Sequence, residues 1–287
     1  MRQYLDLLNE VVTRGHRQSN RTGIDTFVLP YGSLMRFDLA EGFPAVTTKK
    51  LAFKSVTAEL IGFLRGYTSE ADFRKLGSNI WNQNANEEKH WLANPNRKGT
   101  DDLGRIYGAQ WRAWRKDDGT TIDQVANALK LIHQEPTSRR IVISAWRPDE
   151  FDRMALPPCH VLYQFICNIE ANELNLCMMQ RSADFFLGIP FNIASASTLL
   201  SIVARITGYR PRYYTHFVSD AHVYVNHLDQ VREQLTRAPR KLPKVVIDFP
   251  GYDEVGFRPQ AIDEIEPSQI RLEGYDPHPA IKGEMAV

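Results

Sequence analysis

"HVLYQFICNIEANELNLCMMQRS", residues 160–182, sets two apolar-rich runs on either side of a short polar break. In the first run Val161, Tyr163, Phe165, Cys167 and Ile169 alternate with more polar neighbours, the period of two that belongs to a strand. Residues 170–173, Glu-Ala-Asn-Glu, make a turn, and "LNLCMMQRS" runs back, so the stretch predicts an antiparallel hairpin. Just upstream, "MALPPCH" (154–160) places Cys159 directly behind Pro157 and Pro158. Prolines fix the backbone and donate no amide, so the strand is expected to begin at the cysteine, on the rim of a sheet. A thiol there can face a cleft, although a small buried core residue is the commoner reading of a cysteine. His160 is expected to point to the opposite face, which excludes a Cys159–His160 dyad.

Upstream of the hairpin, "RRIVISAW" (139–146) reads as a buried strand. Thr121 and Gln124 form a capping-box pattern before Ile122, Val125, Leu129 and Ile132, an amphipathic helix ended by Pro136. Residues 82–104 are polar and turn-rich and read as a long loop or insertion. "FKSVTAELIGFLRG" (53–66) is the clearest helix, with Phe53, Val56, Leu60, Phe63 and Leu64 in one stripe and Gly66 as its stop. "DTFVLPYGSLMRFDL" (25–39) is strand material interrupted at Pro30-Tyr31-Gly32, and residues 2–14 carry helical spacing. Downstream, residues 193–206 read as a buried helix and "DAHVYVNHLDQVREQL" (220–235) as an exposed amphipathic one. The mixture is α+β, in one domain over residues 1–287.

The totals narrow the function. A net charge of +1 argues against a basic nucleic-acid or membrane footprint. Three cysteines without a CxxC spacing argue against a disulfide framework or a structural zinc, and favour reduced thiols in a cytoplasmic protein. The N-terminus lacks the charged-then-apolar pattern of a signal peptide.

Two further features suggest chemistry. Glu59 falls inside the apolar stripe of the 53–66 helix, where a carboxylate must be paired, hydrated or partly protonated. A raised pKa suits a general acid/base, and a structural partner for a basic residue fits the position equally well. Arg21, Arg139, Arg140 and Arg181 lie at strand ends or in turns, and their planar forks suit phosphate oxygens. Singly, each is the surface charge expected of any arginine.

"ALPPCH", "QRSADFFLGIPFNIAS" and "DAHVYVNH", in this order and spacing, resemble the thymidylate synthase family. So do "RTG" at 21, "GFPAVTTKK" at 42, "LGRIYGAQWRAW" at 103, "SRRIVISAW" at 138 and "EGYDPHPAIK" at 273, which extends the resemblance over essentially the whole chain. It implies that family's fold, a mixed β-sheet with flanking helices and one sheet face at a homodimer interface. Cys159 would be the nucleophile that adds to C6 of a uracil ring, making C5 nucleophilic toward 5,10-methylenetetrahydrofolate. Arg181 would favour the thiolate. Arg21, Arg181 and Ser182 would hold the phosphate of dUMP, joined by Arg139 and Arg140 from the second subunit. Asn192, alongside Gln180, would read the uracil edge; relatives acting on deoxycytidylate carry aspartate there. His222 and Tyr224 would bind the deoxyribose hydroxyl. Glu59 would organise water and proton transfers and Tyr107 would assist loss of the C5 proton. Asp184 and Trp81 would face the folate, and the C-terminus to Val287 would close over both ligands. No metal is implied.

The resemblance leaves two products open, dTMP or 5-hydroxymethyl-dUMP. Residues expected at the nucleotide match the synthase pattern, whereas Asn82, Asn84, Ala196, Ser201, Ser219 and Arg147 depart from it. These changes remove aromatic bulk and add small polar groups, which would admit water to a reactive C5 methylene. The expectation is therefore a deoxyuridylate hydroxymethyltransferase, suited to a virus that builds a modified base into DNA in its host's cytoplasm. Thymidylate synthase proper is the alternative. A cysteine hydrolase would need a histidine base and an oxyanion hole around Cys159, which its neighbours do not supply recognisably.

Overall fold

A computed structural model describes residues 1–285 and places the hairpin of residues 160–182 inside a seven-stranded mixed sheet. The strands are β1 (His16–Gln18), β2 (Thr26–Val28), β3 (Ser33–Asp38), β4 (Val142–Ser144), β5 (His160–Asn168), β6 (Glu173–Asp184) and β7 (Arg210–Tyr224). Their order is β1-β2-β7-β6-β5-β4. Strands β5 and β6 pair antiparallel as the alternation predicts, while β6 and β7 run parallel, joined by the crossover helix Gly188–Thr207. Such a crossover is what a parallel pair requires.

Both β2 and β3 pair along one edge of β7, Thr26 opposite Tyr224 and Ser33 opposite Val218. The break between them falls at Pro30-Tyr31-Gly32, as expected. A Cβ on Gly32 would lie 2.8 Å from the Phe217 ring, so a side chain there would have to push that ring aside.

One face of the sheet is dry. Ile143, Tyr163, Met178, His216 and Met35 form a continuous buried row across five strands. Against this face packs the helix Gly188–Thr207, and the helix Phe53–Leu64 packs in turn on that helix. The former is long and apolar enough to cross a membrane by length and composition, and most of it is buried in this core. The latter ends at Leu64, and Gly66 follows at φ 71°, the left-handed stop the sequence anticipates. On the opposite face Leu162, Met179, Phe217 and Leu34 line up strand to strand, and the last three are exposed large apolar side chains.

Four expectations need correction. "DAHVY" is not helical: it ends β7, and only Leu228–Thr236 forms the helix. The helix Gln124–Gln134 is capped by Asp123, whose carboxylate accepts from the Ala126 amide, while Thr121 and Ile122 sit in an exposed two-residue strand. Residues 82–104 are not simply a loop, since Asn82–Asn86 and Lys89–Leu92 are short helices that bury Ala85 and Trp91. "RRIVISAW" yields only the three-residue edge strand β4, with Val142 exposed.

Candidate active site

Strands β5 and β6 reach their rim beside a cavity of about 810 Å³. Cys159, one residue before β5, lies on its wall. The Cys159 amide donates to Tyr107 Oη at 2.7 Å, and Arg181 Nε and Nη2 donate to the carbonyls of Pro158 and Pro157, both at 2.9 Å. The prolines thus contribute acceptors as well as rigidity, and the arginine closes the loop that presents the thiol. Burial raises the Cys159 pKa; the nearby charge of Arg181, the Tyr107 hydroxyl and the charge of Arg21 oppose that rise without overcoming it. The thiolate-favouring effect of Arg181 is present and burial outweighs it.

Glu59 occupies the position its helical angle predicts. It is buried, its Oε1 accepts from Trp81 Nε1 at 3.0 Å, and desolvation pushes its pKa up to about 8. Tyr107 stacks on Phe63 and is raised well above the usual phenol value, chiefly by burial. His160 also lines the cavity, contrary to the simple alternation, because the β5–β6 register shifts between His160 and Leu162. Its Nδ1 pairs with Tyr163 Oη at 3.1 Å, and burial lowers its pKa to about 4, so it is a neutral wall residue.

Parallel pairing of β6 with β7 brings Gln180, Arg181, Ser182 and Asp184 beside Asp220, His222 and Tyr224, all on the cavity wall. Gln180 Nε2 donates to Asn192 Oδ1 at 3.0 Å from the first turns of the crossover helix. Asp184 Oδ1 accepts from the amides of Phe186 and Leu187, which fixes the entry to that helix. His222 Nδ1 is 2.7 Å from Asp220 Oδ1, and its ring meets Tyr224 edge-on. Arg21 lines the cavity from the loop between β1 and β2.

Two predicted residues stand apart. Arg139 and Arg140 are exposed in a turn and are not on this wall; Arg140 instead borders a separate cavity of about 290 Å³ with Trp114 and Val142. Val287 lies outside the described residues. Met285 does reach the wall, and the Glu284 carbonyl lies 2.8 Å from His227 Nε2.

Sequence reasoning missed Phe151, Trp91, Leu187 and Phe191, the apolar side of the cavity. Trp91 carried a signal: a tryptophan in an otherwise polar, turn-rich stretch must be buried somewhere. Of the six departures on which the hydroxymethyl expectation rests, only Asn84 lines the cavity. Ala196 and Ser201 are buried in the crossover helix, where the Ser201 hydroxyl donates back to the Ser197 carbonyl. Arg147 covers the Trp114 ring and pairs with Asp149.

The thymidylate synthase family model matches residues 2–287. The chain belongs to the thymidylate synthase family. It is 47% identical to the thymidylate synthase of Pseudomonas putida, and 44% identical to those of Pseudomonas syringae pv. tomato and Bordetella parapertussis, each over the full length of both chains. It is accordingly a pyrimidine-nucleotide C5 one-carbon transferase that uses methylenetetrahydrofolate as cosubstrate. Among the described residues no three metal-ligating side chains cluster.

Proposed function

We propose that this enzyme is a thymidylate synthase proper, converting dUMP to dTMP. The observation that carries the reading is the convergence of Cys159, Tyr107, Glu59, Asn192, Arg181 and Arg21 on one cavity wall. Cys159 adds to C6 of the uracil ring and later leaves, which divides the substitution at C5 into accessible steps. Arg181 holds the thiol loop and, with Arg21 and Ser182, the phosphate. Asn192, backed by Gln180, reads the pyrimidine edge, and His222 with Tyr224 takes the sugar hydroxyl. Tyr107, hydrogen-bonded to the Cys159 amide, assists loss of the C5 proton, and Glu59 relays protons.

The folate cosubstrate supplies the carbon unit and the hydride. The cavity fits it: at about 810 Å³ it sits high in the usual range for ligand sites, ~300–1,000 Å³, and Ile80, Trp81, Leu187 and Phe191 give a flat-ring ligand an apolar wall. Trp81 and Asp184 are the residues assigned to it, and the C-terminal segment that includes Met285 helps to cover it.

The methyl product is favoured over the hydroxymethyl one because five of the six supposed water-admitting substitutions are off the cavity wall and the full-length relatives are thymidylate synthases. Mass spectrometry of the nucleotide formed from dUMP and methylenetetrahydrofolate tests this, since the two products differ by one oxygen. dTMP formed one-to-one with the rise in dihydrofolate absorbance is expected; 5-hydroxymethyl-dUMP would overturn the assignment.

The reading includes a homodimer across the outer sheet face. Leu34, Met179 and Phe217 are exposed there in a single chain, a row that a second copy would bury. Arg139 and Arg140, which do not reach their own cavity, would then serve the partner's phosphate site. With no disulfide among its three free cysteines, the protein suits the reducing cytoplasm.

A further inference from the structure

His216 occupies the middle of the dry row on β7, fully buried between Met178 of β6 and Met35 of β3. An imidazole among methionine side chains carries a desolvation cost, and a hydrocarbon of similar size would fill the space without it. Among the described residues its ring has one polar contact, Nε2 to Gln180 Oε1 at 2.9 Å, and Nδ1 has no hydrogen-bond partner.

The direction of that contact follows from Gln180. Gln180 Nε2 lies 3.0 Å from the Ser182 carbonyl and 3.0 Å from Asn192 Oδ1. A backbone carbonyl only accepts, so the amide nitrogen belongs on that side and Oε1 faces the imidazole. The ring must therefore donate from Nε2, leaving Nδ1 bare. Burial holds the ring well below the usual imidazole pKa, next to the lesser influence of His160, so it stays a neutral one-proton donor. The polarity then runs in one sense from Nε2–H of His216 to Oε1 of Gln180, and from Nε2–H of Gln180 to Oδ1 of Asn192. Asn192 turns its oxygen toward Gln180 and keeps its NH₂ group for another acceptor. A uracil O4 accepts from that group, whereas the cytosine amino group does not.

We infer that His216 is a positioning residue that fixes, through Gln180, which end of the Asn192 amide meets the pyrimidine. This rests on the dUMP reading above and goes beyond it, since His216 touches neither ligand nor cavity. Without the imidazole donor, Gln180 Oε1 is a buried acceptor with no partner, and the amide pair loses one of the bonds that hold its orientation.

The test compares His216→Phe, which keeps a ring and removes the donor, with His216→Gln, which returns an N–H at similar reach. His216→Phe is expected to raise KM for dUMP by about tenfold, the size of one lost net hydrogen bond. KM for methylenetetrahydrofolate should stay within about twofold and His216→Gln should recover most of the loss, the pattern expected if the lost bond acts only on the pyrimidine side. In a Gln180→Ala background, adding His216→Phe should change KM for dUMP by less than about twofold, because the relay is already cut. A wild-type protein that turns over dUMP while His216→Phe leaves its KM unchanged overturns the inference and spares the functional reading. A wild-type protein inert toward dUMP sinks that reading instead. If His216→Phe does not fold, ¹⁵N NMR of the wild-type imidazole decides: the Nε2–H tautomer is expected, and the Nδ1–H tautomer overturns the relay.

Discussion

Replacing Glu59 by glutamine should change how stability depends on pH. The carboxyl is buried, and desolvation lifts its pKa from 4.5 to about 8. Between those values the folded state holds a proton that the unfolded state has released, so wild-type stability falls as pH rises through the window. At pH 5 the unfolded carboxyl is mostly ionised, which costs the folded state about 1 kcal/mol relative to a permanently neutral side chain. At pH 8 the same comparison costs about 4 kcal/mol, so the window contributes roughly 3 kcal/mol. Glu59→Gln keeps the side-chain oxygen that accepts from Trp81 Nε1 and removes the titration. Urea unfolding of both proteins at one fixed protein concentration, at pH 5 and pH 8, should therefore show the variant gaining roughly 3 kcal/mol on wild type between the two pH values. Parallel stability curves, with the difference constant across that range, would refute the claim that Glu59 is desolvated and protonated. The same variant should lose turnover by ~10²–10⁴-fold at neutral pH, because it cannot exchange the proton.

Cys159→Ser should abolish turnover while leaving dUMP binding by calorimetry within about tenfold, since the phosphate and pyrimidine contacts lie elsewhere. Mixing Cys159→Ser with an inactive Arg139→Ala/Arg140→Ala protein should restore about a quarter of wild-type activity if each dimer half borrows arginines from the other, because half the dimers are mixed and each carries one intact site; no recovery after subunit exchange would exclude shared sites. His160, lowered to about 4 by burial, should show no NMR titration between pH 5 and 8, and its protonation in the unfolded chain should erode stability as pH falls from 6.5 toward 4. Leu200→Ala, at a fully buried position in the crossover helix, should cost ~2–5 kcal/mol in urea unfolding without altering KM for dUMP.

Local pattern was enough wherever one periodicity dominated. The hairpin, the Phe53–Leu64 helix with its Gly66 stop, and the break at Pro30-Tyr31-Gly32 are all legible from side-chain spacing. Glu59 was legible for the same reason, as a carboxylate out of place on an apolar stripe. "DAHVY" was misread because its alternation is short and runs straight into a true amphipathic helix. What holds it extended is pairing on both sides, parallel with β6 across a helix of twenty residues and antiparallel with β2, and no local window contains either contact. The Asp123 cap was passed over for Thr121, two residues earlier, a typical boundary error. Arg139 and Arg140 show the limit most plainly. The role proposed for them depends on a second chain, which the spacing of residues along one chain does not encode.

Arg181 carries one further implication. A guanidinium offers five N–H donors, and two of these are committed to the carbonyls of Pro157 and Pro158. Only three remain to grip an anion. Tuning the anchor for tighter anion capture would thus slacken the hinge on which the sulfur sits, and stiffening the hinge would weaken the grip. On the reading proposed for Arg181, selection has to adjust both traits through one side chain, and lysine, a point charge with no fork, offers no intermediate compromise.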